Sequence, residues 1–513
     1  MASSQTKIGK DVIESLTLGM YEDARFIFRE YIQNSADQID KAVEMGLLNG
    51  SREGQIEINI NPTERSISIF DNATGIESIQ VGSTLKDIAQ SKKDRTKNKG
   101  FRGIGRLGGL AYCDKLIFET SYEGEPIKSR LIWDSRKLKA IINNRSQKEE
   151  ATEVIDDVTT FLTESEDPNS HYFKVSLEGI SNNQLLDKES VYLYLSMVSP
   201  VPFNKGFIYK GQIYDKARDL NTSLDEYQIF LNKDQVFKSY TTSIYQGDPG
   251  NKRKIDEVYG VEFFEIRVKS QLLAWGWHSI SKFEKVIPSI NIARSIRLRK
   301  GNIQVGLEDS LVKLFKEPRG TKYFFGEIHC VSPDLIPNAR RDYFLENESL
   351  KAFEKAVRCK FDELHKLYYF SSKVRGEKRK IDSFTSFTEE YQEKAKSGFS
   401  DKKEETEYKE KYEAKKEKAE SAVRELEKVK SKAVESPAAQ KKVLEKLVGA
   451  SEPEIDVYTP PSSNGKPKLI TDDISRLNRK EKKLVSRILG VIDNVLPKDL
   501  ANIVKEKIKE ELQ

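Results

Sequence analysis

The chain has little of what a disulfide-bonded or zinc-dependent architecture requires. Its three cysteines, Cys113, Cys330 and Cys359, stand far apart among 513 residues, with no C-x-x-C pair. The four histidines, His171, His278, His329 and His365, are equally scattered. This argues against a disulfide framework and a zinc site and fits a reducing compartment. Long apolar runs are missing too. Nothing approaches the roughly 18 residues that a membrane helix needs, and the opening MASSQTKIGKDVIESL has no apolar signal core. The expectation is a cytoplasmic protein with no membrane partner. Charge of one sign is also scarce: 86 basic and 81 acidic residues leave a net +5. That is near balance for this length, so charge alone does not argue for nucleic acid.

The length is enough for roughly three or four domains. Charged residues make up 33% of the chain, more than compact domains need, which predicts that part of it is extended, solvated helix. The most informative stretch is 26–46, FIFREYIQNSADQIDKAVEMG. Glu30, Asn34, Asp37 and Lys41 fall at i, i+4, i+7 and i+11, near one stripe of a helix. Phe26, Phe28, Tyr31, Ile32, Ile39, Ala42 and Val43 supply apolar surface on the other faces, enough to hold the helix inside a domain. Such a helix is an active-site candidate. A glutamate there can orient or deprotonate water, and an amide oxygen can ligate a hard cation such as Mg²⁺. The alternative is an amphipathic surface helix with a polar stripe.

A lead-in helix is expected over 11–20. After the long helix, QIEINI (55–60) and SISIF (66–70) alternate with the strand period around a turn at 61–65, a β-hairpin. The second strand runs into Asp71-Asn72-Ala73-Thr74-Gly75-Ile76. An aspartate there can accept a hydrogen bond from an exocyclic amine, and Gly75 permits close backbone approach to a planar ring. An ordinary turn uses the same residues. The lysine-rich stretch 91–99 has the composition of a mobile lid and leads into GFRGIGRLGGL (100–110). Glycines at 100, 103 and 105 can turn backbone N–H groups toward an anion at the start of a helix; a flexible loop is the alternative. The segment is neither a Walker A loop nor a dinucleotide fingerprint. Strands are expected at 115–120, 128–133 and 172–177.

Glu-x₃-Asn-x₂-Asp on a helix, Asp-x₃-Gly after a hairpin, then a lid and Gly-x₂-Gly-x-Gly: in this order the motifs resemble the GHKL ATPases. That superfamily includes gyrase B, the ninety-kilodalton heat-shock chaperones, histidine kinases and MutL, and the MORC ATPases share its fold. The resemblance covers roughly residues 8–180 and is closest to the chaperone-like and MORC-like branches. It implies a Bergerat fold, a helical layer on a mostly antiparallel sheet, with ATP and Mg²⁺ as cofactors. It further implies Glu30 as general base, Asn34 as Mg²⁺ ligand and Asp71 as the adenine contact. Gly75 and Ile76 would lie beside the base, and Gly100, Gly103, Ile104 and Gly105 would line the triphosphate. Asp37 and Lys41 match the chaperone pattern, though a structural ion pair accounts for them equally well. Ala73 departs from the pattern, standing where many members carry a glycine.

Beyond residue 185, a helix is expected near 186–201 and strands at 206–214, 228–231, 261–268 and 270–277, with a polar loop at 246–255. A hairpin over 292–305 carries Arg294, Arg297, Arg299 and Lys300 around a turn at 300–302, and 324–331 is a further strand-like run. An α+β domain in this position resembles the transducer of the same superfamily, in which a basic residue reaches the γ-phosphate. Asn338-Ala339-Arg340-Arg341-Asp342 resembles the chaperone segment that supplies it. This implies Arg341 as a catalytic cation, with Arg340 as its neighbouring substitute and Arg297, Arg299 or Lys300 if the register slips. Surface or interdomain salt bridges are the alternative for these arginines. His278 and His329 are expected to be packed or surface residues.

A helical run is expected at 351–369 and a basic, glycine-containing junction at 373–380. From 401 to 430, 20 of 30 residues are charged, ten of each sign, the pattern of a solvated helix with i,i+4 pairs. Ala419, Ala422, Leu426, Val429 and Ala433 hint at a short coiled-coil seam ended by Pro437. Residues 451–472 read as a flexible linker. Two amphipathic helices follow, and a hairpin this small is expected to dock on a partner or a second copy.

The expected fold class is α+β, in five parts. These are an N-terminal Bergerat-fold ATPase α/β sandwich (1–185), a transducer-like α+β domain (186–370), a charged helical or coiled-coil region (371–450), a linker (451–472) and a C-terminal helical hairpin (473–513). The expected function is an ATP-hydrolysing, chaperone-like molecular switch that forms a homodimer when ATP binds, with a protein client or effector as partner. The alternative is a MORC- or MutL-like ATP-gated nucleic-acid clamp, which the balanced charge does not favour.

Overall fold

The computed structural model describes residues 8–17, 23–88, 105–146, 148–247, 250–433, 437–449, 455, 469–474 and 476–513. The chain is α+β and divides into two compact units, Met1–His365 and Lys366–Gln513. The first opens with α1 (Asp11–Thr17) and α2 (Phe26–Glu44), followed by β1 (Gln55–Asn61) and β2 (Ser66–Asp71). Ile56, Ile58 and Ile60 alternate inward along β1, and Ile67 and Ile69 along β2. This is the period-two pattern of a sheet with one covered face. In the turn between them, Asn61 Oδ1 accepts from the N–H groups of Thr63 and Glu64, both at 3.1 Å.

The chain continues through α3 (Ser78–Lys86), a 3₁₀ segment at Gly105–Ala111, β3 (Lys115–Ser121), β4 (Ile127–Asp134), α4 (Ser135–Asn143), α5 (Ala151–Val158), β5 (Thr159–Ser165), β6 (Tyr172–Glu178), α6 (Lys188–Val198), α7 (Lys210–Asp219), β7 (Gln228–Leu231) and β8 (Asp234–Gln235). These strands form one eight-stranded sheet in the order β5-β4-β3-β6-β2-β1-β7-β8. Every pairing is antiparallel except β1 with β7, so partners of β1 come from both sides of position 185. Ile27, Phe28, Tyr31, Ile32, Ala36, Ile39 and Ala42 of α2 join the sheet's inward residues in a single core. Two local expectations are overturned. The strand expected at 206–214 is largely the helix α7, because Ile213 and Ala217 are buried at a spacing of four. The helix expected after Gly105 is a 3₁₀ segment, with Leu107 through Leu110 buried at close quarters.

The rest of the first unit contains β9 (Ser243–Gln246) paired with β10 (Arg253–Glu257), and a five-stranded sheet. β10 occupies part of what was expected to be a polar loop at 246–255. The sheet comprises β11 (Gly260–Val268), β12 (Gln271–Ile280), β13 (Ser295–Lys300), β14 (Ile303–Val305) and β15 (Phe325–Cys330), in the order β11-β12-β15-β13-β14. Gly301 and Asn302, at φ 56° and 55°, make the β13–β14 turn, the geometry that suits a tight hairpin.

Central β15 is buried along its whole length and carries a charge cluster. Glu327 accepts from Lys238 Nζ at 2.9 and 3.1 Å and from Tyr240 Oη at 3.1 Å, and Arg299 Nε lies 2.5 Å from its Oε1 as an ion pair. His329 Nε2 lies 3.2 Å from the same carboxylate and its ring stacks on Trp275. Burial pushes the Glu327 carboxyl up, but Arg299, Lys238 and His329 outweigh it and hold the group well below its ordinary 4.5. Burial lowers His329 to about 4 despite the pull of Glu327.

α8 (Glu348–Ser397) is one helix through 373–380, where a junction was expected. Gly376 is tolerated there, with open space where a Cβ would be. In the second unit, the later part of α8 pairs antiparallel with α9 (Lys402–Ala433): Lys373 meets Glu425, Phe384 meets Tyr412 and Phe387 stacks on Tyr408. Ala419, Ala422 and Leu426 are buried within this unit. Pro437 caps α10 (Ala438–Val448). Most of the linker expected at 451–472 lies outside the described residues; Ile470 N–H donates to Phe399 O at 2.8 Å. α11 (Arg479–Val495), opened by an Asn478–Glu481 capping box, packs on α12 (Lys498–Leu512). Leu484, Ile488, Val491, Val495, Leu500 and Ile503 stay exposed on this hairpin. No helix among the described residues is long and apolar enough to cross a membrane.

Candidate active site

The N-terminal part of the α2 polar stripe is buried as well as its apolar faces, and the glycine-rich 3₁₀ segment lies against Glu30 and Tyr31. A Cβ on Gly105 would sit 2.2 Å from Glu30 Oε2, and one on Gly109 2.6 Å from Tyr31 Oη. Tyr31 Oη also donates to Arg106 O at 3.0 Å. Side chains at 105 and 109 would hold the segment off the helix, so glycine is needed for contact rather than for an unusual φ. Arg106 is half-buried beside it, and desolvation lowers its pKa to about 10.

Glu30 is only 9% exposed, and its Oε1 has no hydrogen-bond partner among the described residues. Two guanidiniums approach that oxygen at 3.7 Å, Arg29 through Nη2 and Arg341 through Nε. Arg29 also donates to Arg340 O at 3.1 Å, across 311 positions of chain. Both 3.7 Å contacts are longer than a hydrogen bond, so the carboxylate is flanked by cations without being saturated by them.

Asp71 closes β2 and is buried. Ser35 Oγ, from α2, donates to its Oδ2 at 2.6 Å, and Ala73 N–H to its Oδ1 at 3.2 Å. Gly75 has φ 66°, and a Cβ there would lie 1.8 Å from Ser121 O. The backbone crowding that requires glycine thus comes from β3. Ile76 N–H donates to Thr120 Oγ1 at 2.9 Å, and His171 Nδ1 meets Ala73 O at 2.7 Å. Together these hold the 71–76 loop against β3 and β6.

Asn34 is half-buried, Asp37 buried and Lys41 exposed on α2. Gly100, Gly103, Ile104 and the expected lid lie outside the described residues. Among the basic candidates, Arg341 reaches Glu30, while Arg340 is exposed and contributes its carbonyl. Arg297, Arg299 and Lys300 turn to other partners: Gln304 Oε1 at 2.8 Å, Glu327, and Ser332 O at 2.6 Å. His278 and His329 are packed, as expected.

Sequence reasoning missed Arg29, Ser35, Thr120, His171 and Gln33. Gln33 is 1% exposed, and neither amide atom has a hydrogen-bond partner among the described residues. Its position one residue before Asn34 was the only available signal.

A helix carrying a buried carboxylate under a glycine-rich segment, beside an aspartate at the end of a sheet strand, defines a class. Residues 25–164 match the family model described as histidine kinase-, DNA gyrase B-, and HSP90-like ATPase, and this segment is a GHKL-type ATPase domain. Curated relatives share the region. "Chaperone protein HtpG" of Buchnera aphidicola subsp. Baizongia pistaciae (strain Bp) is 28% identical over 172 residues, 30% of this chain and 27% of that protein. The protein of the same name from Legionella pneumophila (strain Lens) is 25% identical over 158 residues, 26% of this chain and 25% of that protein. The chain thus spans about a quarter of the length of these relatives, and the likeness points to the heat-shock-chaperone-like branch.

Proposed function

We propose that this chain binds ATP with Mg²⁺, hydrolyses it at the α2 site, and uses the cycle as a chaperone-like molecular switch. The observation that carries this reading is Arg341 Nε at 3.7 Å from Glu30 Oε1. It brings a cation from beyond the second sheet to the carboxylate of the ATPase domain.

Glu30 accepts a proton from a water as that water's oxygen attacks the γ-phosphorus, and ADP leaves with the electron pair of the broken P–O bond. Arg341 stabilises the charge spread over the transferring phosphoryl oxygens. The buried Oε1, without a hydrogen-bond partner among the described residues, suits a water-activating role, since an oxygen already saturated by donors is a poor base. Asp71, with Ser35 and Ala73 N–H fixing its carboxylate, takes the adenine amine. Gly75 and Ile76 flank the base. Asn34, half-buried on α2, would supply an oxygen to hold Mg²⁺, and Gly105 begins the described part of the phosphate-facing segment. When bound, Mg²⁺ neutralises phosphate charge.

Position 185 is offered as the boundary between the ATPase and transducer-like domains, and 370 as the end of the latter. A homodimer is supported by the exposed aliphatic residues of α11 and α12, which need an apolar partner.

The test is ATP affinity by calorimetry and steady-state phosphate release for wild type, Glu30→Ala and Asp71→Asn. Glu30→Ala is expected to bind ATP without turnover, and Asp71→Asn to lose binding. Wild type that binds no ATP in the presence of Mg²⁺ would overturn the reading.

A further inference from the structure

Arg341 lies near the tip of a loop closed by Leu345 N–H to Ile336 O at 2.8 Å, Asn338 N–H to Tyr343 O at 2.9 Å and its own N–H to Asn338 O at 3.1 Å. Its φ is 54°, a left-handed conformation that non-glycine residues rarely hold unless their surroundings impose it. Two bonds from outside the loop bear on its position, one from the active-site helix and one from the segment after β14. Arg29 of α2 donates to Arg340 O at 3.1 Å, and Gly306 N–H, just after β14, donates to Arg341 O at 2.7 Å.

Gly306 is itself held. Its φ is 72°, and a Cβ there would fall 2.1 Å from Ser310 Oγ and 2.5 Å from Asp342 O. Gln304 Nε2 donates to Gly306 O at 2.9 Å, while Gln304 Oε1 accepts from Arg297 Nη1 at 2.8 Å. Both ends of the Gln304 amide are therefore in use, and Gln304 and Arg297 are buried. Arg297 also lies 3.6 Å from Glu308.

We propose that Gln304 and Gly306 are positioning residues for Arg341: the relay Arg297–Gln304–Gly306 fixes the Arg341 peptide, and through it the guanidinium beside Glu30. The proposal rests on Arg341 acting in ATP hydrolysis as proposed above. It assigns work to Arg297 at one remove from the site. Displacing a catalytic group by about 1 Å can cost about 100-fold in rate, so small shifts of this loop are measurable.

The test uses steady-state ATP hydrolysis by the full chain, with unfolding midpoints as a control. Gln304→Glu keeps the acceptor for Arg297 but removes the donor to Gly306, so it separates packing from positioning. Expected is a kcat lower by about 10- to 100-fold with KM within about twofold, and an unfolding midpoint close to wild type. Gly306→Ala is expected to lower kcat in the same way. Combined with Arg341→Ala, Gln304→Glu is expected to add no further loss, because both act through one group. Wild-type kcat in both Gln304→Glu and Gly306→Ala, with a reduced rate in Arg341→Ala, would overturn this proposal alone. A wild-type rate in Arg341→Ala would instead overturn the role of Arg341, and this proposal with it.

Discussion

On β15, Glu327 holds Lys238, Arg299 and Tyr240 on its two oxygens, whereas on α2 the Oε1 of Glu30 has two guanidiniums at 3.7 Å and no hydrogen bond among the described residues. Both carboxylates are buried. The first accepts hydrogen bonds on both oxygens and is paired with a second cation, which makes it a rigid joint within the second sheet. The second keeps bonding capacity in reserve, which suits a group that must take a proton. Buried charge marks both places, and the completeness of its hydrogen bonding separates them.

Substitutions can break this contrast. The largest expected effect is in Glu30→Ala: turnover falls about 10²- to 10⁴-fold in phosphate-release assays, while ATP binding persists. Glu327→Ala should act in the other currency. It leaves Lys238 and Arg299 buried without their carboxylate, so about 3–5 kcal/mol of stability is lost in denaturant unfolding. A larger stability loss in Glu30→Ala than in Glu327→Ala would dissolve the distinction.

Next comes Gly75→Ala, which sets a Cβ 1.8 Å from Ser121 O at φ 66°. At least about 1–3 kcal/mol of backbone strain is expected, read as a lowered unfolding midpoint together with weaker ATP binding. A smaller effect separates the two arginines: Arg341→Ala lowers kcat, while Arg340→Ala stays within about twofold of wild type, because the Arg340 side chain is exposed and its carbonyl, kept in the variant, makes the bond to Arg29.

The smallest effect is with pH. His329 titrates near 4 in the fold against an ordinary 6.5. Between those values the unfolded chain binds a proton that the folded chain refuses, so stability falls as pH drops from about 6.5 to about 4. The depressed Glu327 carboxyl extends the loss below its ordinary 4.5. Unfolding titrations of His329→Gln should show a shallower slope in the upper window.

Local pattern made much of the ATPase domain legible. The alternation along 55–60 and 66–70 predicts β1 and β2, and the four-residue spacing from Glu30 to Asn34 predicts a polar stripe on a helix. The helix at 210–219 was hidden by the run Phe207-Ile208-Tyr209, whose residue types favour a strand, although Ile213 and Ala217 stand at helical spacing and are buried together. Gly376 misled in the other direction, since a glycine in a charged run looks like a break and an exposed helix tolerates it.

By itself the sequence determined the residue types and their short-range spacing, which suffice for one helix, one hairpin and the order of motifs. Only the tertiary structure decided that Arg341 rather than Arg297, Arg299 or Lys300 faces Glu30, and that Arg29 grips the neighbouring carbonyl. Four basic side chains within fifty positions are equivalent to a pattern. They become different when chain folding, which no local period encodes, surrounds three with acceptors and brings one to a carboxylate 311 positions away.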